Sequence, residues 1–159
     1  ISKRSVREFK WASCGKPSDP LEVKSLNVSP DPIHLSASIT LSFDVLLSRN
    51  ISSFELDLEV KKKILFAWIE LPCENNVGSC DYKDVCSLIP NPCPKPIKAH
   101  HLPCSCPLPM DAYSLPPSLF HLPQLPLPSW LTSGDYYAKA EGVEGKKRIF
   151  CLELYFSLA

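Results

Sequence analysis

The chain has 159 residues, 45% of them apolar, with 17 basic and 17 acidic side chains and a formal net charge of zero. That length predicts one domain. The composition excludes a disordered chain, which would be poor in apolar residues and rich in one charge. The balanced charge argues against nucleic acid as a partner, because neutralising phosphates needs a basic surface; Lys61-Lys62-Lys63 is a local basic patch only.

The chain opens on "ISKRSVREF", which carries no signal-peptide pattern, so a processed form is expected, with residues 1–10 as a flexible extension. "LEVKSLNV" (21–28) is a loosely patterned strand. "IHLSASITLSFDV" (33–45) is a stricter one: every odd position is apolar and every even one polar. Such alternation predicts a strand with one buried and one solvated face. "FELDLEV" (54–60) alternates again, with Glu55, Asp57 and Glu59 facing out. Three carboxylates could suggest glycoside hydrolysis, but strand spacing on a solvated face is the plainer account.

"KKKILFAWIEL" (61–71) breaks the alternation. Ile64, Leu65 and Phe66 stand in a row, so at least one of Leu65 or Phe66 must face outward. Trp68 follows closely. "DYKDVCSLI" (81–89) is the best helix pattern, with Asp81 as N-cap and Pro90 closing it. Residues 90–128 are dense in proline and cannot form a central strand. Leu115, Leu119, Phe120, Leu122, Leu125 and Leu127 make them too apolar for a solvated linker, so ordered irregular structure and edge strand are expected. "PSWLTSG" then places Trp130-Leu131 at a loop tip. "DYYAKAEG" (135–142) and "IFCLELYFSL" (149–158) read as the last two strands, joined by a glycine-containing turn. Several one-faced strands must bury their faces together, which predicts a mainly β protein, an open sandwich or incompletely closed barrel with one short helix.

Eight cysteines, an even and dense set, indicate an oxidising compartment and a disulfide framework. The sequons at Asn27 and Asn50 agree with export. Cys104 and Cys106 lie too close together to bond well and need different partners. Cys14 and Cys151 are the outlying pair, and Cys73 and Cys80 flank a short loop. Cys86 and Cys93 are then left to Cys106 and Cys104. The rival reading is a metal site in "HHLPCSC", from His100, His101, Cys104 and Cys106; it lacks zinc-ligand spacing on both halves. No apolar run approaches the ~20 residues of a membrane-spanning helix, and a soluble protein is expected. No catalytic elbow, zinc-protease motif or phosphate loop is present, so no cofactor is expected. The four histidines read as surface residues.

Lysines beside an apolar wedge, together with Trp130, suit an anionic lipid surface. Two splayed sheets would leave an apolar cavity. At this point a resemblance adds to the residues. "WASC", "PDPI", "WIELPC…GSC", "IPNPCPKP", "LPCSCP", "YSLP", "LPSWLTSGDY", "GKKR" and the final "C…SL" span Trp11 to Leu158. This series resembles the GM2 ganglioside activator family of ML-type lipid-recognition proteins. The resemblance implies a β-cup of about eight antiparallel strands around a large apolar cavity, over residues 11–159. It implies the bridges Cys14–Cys151, Cys73–Cys80, Cys86–Cys106 and Cys93–Cys104. It also implies a non-enzymatic lysosomal or secreted activator, which takes a ganglioside from a bilayer surface and presents it to β-hexosaminidase A. A carrier of phospholipid or other hydrophobic ligands, with no enzyme partner, is the alternative. The lipid-binding rim is expected at Ile64, Leu65, Phe66, Trp68, Phe120, Leu125, Leu127, Trp130, Leu131 and Tyr136. The Lys61–Phe66 stretch is more basic and bulkier than the family's small-residue version.

Overall fold

The computed structural model describes residues 9–122 and 127–159. The expected N-terminal extension falls almost wholly outside them. Among the described residues there are nine antiparallel strands: β1 (Lys10–Ser13), β2 (Leu21–Ser29), β3 (Ser38–Leu47), β4 (Glu55–Ile64), β5 (Ala67–Glu70), β6 (Asp81–Tyr82), β7 (Asp111–His121), β8 (Gly134–Glu144) and β9 (Lys147–Leu158). One sheet runs β1-β9-β8-β4-β5, with β6 also on β4; the other runs β2-β3-β7. The alternating segments therefore became the long strands, with β3 beginning later than its pattern does. The residues before it are a connection, in which Ile33 bridges to Leu158.

One expectation needs correction. Residues 81–89 do not form the helix. Asp81 and Tyr82 pair with β4, and only a 3-10 turn follows at Val85–Leu88. The Asp81 carboxylate accepts from Lys83 at 2.5 Å, so it is engaged elsewhere than at a cap. The short helix α1 is instead Lys95–Ala99, which begins after Pro94 and carries Pro96 in its first turn; proline is tolerated there because its missing N–H has no helical partner anyway. The edge strand expected in the proline-rich segment is present as β7. Its register with β3 shifts between Leu41 and Phe43, so that Pro116 and Pro117 stand in a bulge. An edge and a bulge are the places where a strand can carry proline.

Cross-strand pairs share a face. On β3 the inner residues are Ile39, Leu41, Phe43, Val45 and Leu47, opposite Phe120, Ser118, Leu115, Tyr113 and Asp111. Few of these inner side chains are buried: Leu47, Leu115 and Ile149 are, whereas Val23, Leu41, Phe43, Val45 and Leu154 are only half-buried. Two sheets pressed together would cover such residues. These sheets stand apart, and their backbones approach along the seam where β2 meets β1 and β9.

The floor of the cup is tied by loops. Ser48 N–H donates to the Pro20 carbonyl at 2.8 Å, and Ile51 and Leu108 exchange hydrogen bonds of 2.9 and 2.7 Å. Leu47, Ile51 and Ile149 form the compact apolar cluster there. The Glu144 carboxylate, at the end of β8, accepts from Arg49 at 2.6 Å and from the Ser52 N–H at 2.9 Å. All four bridges join the pairs expected: Cys14–Cys151, Cys73–Cys80, Cys86–Cys106 and Cys93–Cys104. The first closes a 137-residue separation, worth about 5 kcal/mol in the chain-entropy account.

The Arg49 guanidinium first, and then the Ser52 N–H, hold the Glu144 pKa below the usual carboxylate range. A carboxyl lowered on folding stabilises the fold above its unfolded pKa, and that contribution fades as pH falls through the lowered folded value. Glu144→Gln is therefore expected to lower Tm at pH 7. The gap between variant and parent should shrink as pH falls from about 4 through the lowered folded pKa, below which both side chains are uncharged. Thermal melts across pH check this.

Candidate lipid chamber and rim

A chamber of about 350 Å3 lies between the sheets in the half of the interior next to the floor. Its wall is almost entirely apolar and includes Leu26 of β2, Phe43 and Val45 of β3, Ile149 and Leu152 of β9, and Ile97 of α1. Alternation on three strands supplies most of these side chains, and the 93–104 disulfide hairpin brings in Ile97 and Leu102. The titratable group in the wall is the Tyr113 phenol, which donates to the Pro109 carbonyl at 2.5 Å. Desolvation, and then the Asp111 charge, raise its pKa. A more polar cleft of about 460 Å3 adjoins the chamber along the seam and shares Leu21, Val23, Phe150 and Leu152 with it.

The opposite end is the rim. Strand pairing puts the β2–β3 link, the β4–β5 hairpin and the chain entering β8 at that end. Ile64 pairs with Ala67, so Leu65 and Phe66 form a two-residue turn. Both point into solvent, Leu65 at 86% and Phe66 at 96% exposure. Leu65 adopts φ 57°, a left-handed conformation that is strained for a bulky side chain. Trp130 and Leu131 lie in a 3-10 turn, Ser129–Leu131, with Trp130 exposed and Leu131 half-buried.

Lys62 joins the two pieces. It pairs with Tyr136 and so faces inward. Its Nζ donates to the Trp130 carbonyl and, at 2.8 Å, to the Ser133 carbonyl. The same ammonium sits 5.7 Å from the Trp130 ring centroid and 5.6 Å from that of Tyr136, within cation–π range. Tyr136 adds a second tie: its hydroxyl donates to the Leu131 carbonyl at 2.6 Å, and its ring stacks on Phe156 at 5.6 Å. Burial raises the Tyr136 pKa.

Of the ten rim residues expected, Ile64, Leu65, Phe66, Trp130 and Leu131 gather at this end. Phe120 lines the interior opposite Ile39. Leu127 is half-buried in the segment before the Trp130 turn, and Leu125 lies outside the described residues. Tyr136 is buried rather than exposed. Trp68 faces the outer side of the sheet, where its ring meets Tyr137 edge-on at 6.4 Å. Lys62 was legible only as part of a basic patch; its inward face needs the strand register.

The remaining polar groups resolve as surface chemistry. Glu55, Asp57 and Asp81 converge beside Lys83. The hydrogen bond with Asp81 is the leading cause that raises the Asp57 pKa, and the Lys83 hydrogen bond leads in lowering that of Asp81. Cys104 and Cys106 are both in disulfides, so "HHLPCSC" offers no thiolate pair for a metal. All four histidines are exposed. Asn27 is exposed on β2, and Asn50 is exposed with its Oδ1 accepting from the Met110 N–H at 2.7 Å.

Lys62→Met keeps the apolar stem and removes the ammonium. It is expected to free the Trp130 turn, seen as a red shift and stronger acrylamide quenching of Trp130 emission in a background with Trp11 and Trp68 changed to Phe. Tyr136→Phe removes one hydrogen bond, worth about 1 kcal/mol, and should have the smaller effect. Unchanged quenching in Lys62→Met would show that the turn holds itself.

The ML domain family model matches residues 8–158. The chain is 38% identical over 165 residues to the Ganglioside GM2 activator of Macaca fascicularis, covering 98% of this chain and 85% of that one. It is 36% identical over 157 residues to the Ganglioside GM2 activator of Mus musculus, covering 94% and 81%. In fold it is similar to chicken MD-1, solved in complex with lipid IVa, with a TM-score of 0.51 at 12% identity, covering 99% of this chain and 94% of that one. The family model matches nearly the whole length, both curated relatives are more than a third identical over it, and the chain belongs to the ML domain family.

Proposed function

We propose that this chain is a non-enzymatic lipid-binding and transfer protein of the lysosome or the secretory route, which lifts a ganglioside-class glycosphingolipid from a membrane and presents its head group to β-hexosaminidase A. The observation that carries the reading is an apolar chamber between separated sheets, together with exposed apolar side chains gathered at the opposite end of the cup. Burying hydrocarbon in such a chamber gains roughly 25 cal/mol per Å2 removed from water. The chamber wall offers contact surface and a protonated phenol, which suits holding a chain rather than breaking a bond. Leu65, Phe66 and Trp130 would enter the interfacial zone of a bilayer, with the exposed Lys63 drawn to anionic lipid. Phe120, Leu127 and Leu131 would line the path inward. The names of the two curated relatives support the ganglioside and activator parts. The dense disulfides and the sequons at Asn27 and Asn50 support an oxidising, glycosylating route.

Ligand pockets span about 300–1,000 Å3, so 350 Å3 is small for two acyl chains. Taking a ceramide requires the half-buried wall to move apart. That volume favours a second reading, a carrier of single-chain or other small hydrophobic ligands that serves no enzyme.

The deciding experiment adds the purified protein to ganglioside micelles with β-hexosaminidase A. Faster ganglioside cleavage is expected. Bound lipid without faster cleavage favours the carrier instead, and native mass spectrometry of the extracted ligand names its class. Phe66→Ala with Trp130→Ala should weaken co-flotation with anionic liposomes; unchanged flotation would displace the rim from this end. Leu65→Gly should separate two roles of the turn. Relief of the left-handed strain is expected to raise stability by about 1 kcal/mol, while vesicle binding falls.

A further inference from the structure

The outer face of the larger sheet carries an aromatic cluster separate from the chamber. Lys61, Tyr137 and Tyr155 stand in one row across β4, β8 and β9. Trp68 on β5 closes one side, and Glu153 closes another. These five residues line a cleft of about 210 Å3. The Trp68 and Tyr137 rings meet at 6.4 Å and 63°, and Tyr137 and Tyr155 at 5.1 Å and 53°. The Tyr137 ring thus stands at a steep angle to each of its two neighbours, and the three rings make an open box instead of a flat stack. Trp68 and Tyr155 are each 41% exposed. The Tyr137 hydroxyl donates to Glu153 Oε2 at 2.5 Å, which fixes the central ring and holds a negative charge at the edge of the box.

A cation already sits there. Lys61 Nζ is 5.8 Å from the Tyr137 centroid, tethered by Glu59 at 3.6 Å. Ring faces attract a cation through their quadrupole, most strongly when the cation is shed of water. A primary ammonium is compact and strongly hydrated, so it fills such a box poorly. A quaternary ammonium carries the same charge under a shell of methyl groups, needs no hydrogen-bond acceptor, and can touch several rings at once.

We propose that this cleft binds a quaternary ammonium group, displacing Lys61 toward Glu59, and that the group is the choline of a phosphatidylcholine head group. The choline chemistry stands on the ring geometry alone. The lipid as its source rests on the membrane-contact reading above: Trp68 is two residues past Phe66, so the cleft lies beside the apolar turn that would enter the bilayer. The protein would then hold the outer head-group layer with one face while the mouth of its cup opens to the lipid.

The test uses the whole chain. Choline and phosphocholine are titrated while the Trp68 indole N–H resonance is followed, and flotation is compared on vesicles of phosphatidylcholine and of phosphatidylethanolamine. A saturable Trp68 shift and stronger flotation with phosphatidylcholine are expected. Tyr155→Ala should weaken choline binding about tenfold, the size of a desolvated cation–π contact. Lys61→Met, which removes the resident cation and keeps its stem, should strengthen binding, an effect that damage to the fold would not produce. No saturable shift, or weaker choline binding in Lys61→Met, overturns the box. Choline binding with equal flotation on the two vesicles overturns the lipid as its source. Uptake of an apolar fluorescent probe into the chamber is measured alongside. Its loss in the parent chain would count against the carrier reading and leave the choline result intact.

Discussion

Two sheets that stand apart cannot be held by the packing of their inner faces, so they must be held at their margins. The whole molecule depends on that arrangement. Cys14–Cys151 fastens to β9 the stretch of chain that leaves β1 and runs on into β2 of the other sheet. At the floor, the Ile51–Leu108 exchange and the Arg49–Glu144 pair close the space that a core would otherwise fill. At the rim end, Ile33 and Leu158 link the β2–β3 connection to β9. Half-buried valines and phenylalanines can then line a hollow without the fold collapsing onto it. The cost is that wall residues contribute less by burial than true core residues would.

The rim follows a different logic. Leu65 and Phe66 lie fully in water, and the backbone at Leu65 is strained to put them there. Neither choice helps folding, and strain of this kind gathers where a chain has something to bind. Trp130, by contrast, is restrained from behind. Lys62 and Tyr136 hold the backbone of its turn through carbonyl oxygens, which leaves the indole presented but the loop anchored. One apolar element is therefore rigid by its hairpin, the other by two side chains reaching from the interior.

The strands that alternate cleanly were legible, because period-2 patterning is a direct record of one wet and one dry face. β1 and β5 are too short, at four residues each, to show a period. The turn at Leu65-Phe66 carries no glycine or asparagine, so nothing in its composition announces a reversal. β7 was half-legible: proline correctly barred it from a sheet centre but gave no hint of a strand eleven residues long. The helix was misplaced because Asp81 is a good cap by type, yet its carboxylate is occupied by Lys83. At the site, exposed apolar residues could be read from sequence. The inward turn of Lys62, the burial of Tyr136 and the outward face of Trp68 all depend on register, which the chain does not spell out locally.

A cup that never closes into a barrel leaves strand edges open, and open edges invite other chains to pair along them. The bulge in β7 answers that hazard. Pro116 and Pro117 remove two consecutive N–H donors in the middle of β7, an eleven-residue edge strand. The same prolines that obscure the strand in the sequence therefore protect the molecule from joining its neighbours sheet to sheet. A protein that must carry bare leucine, phenylalanine and tryptophan in water has particular need of that protection.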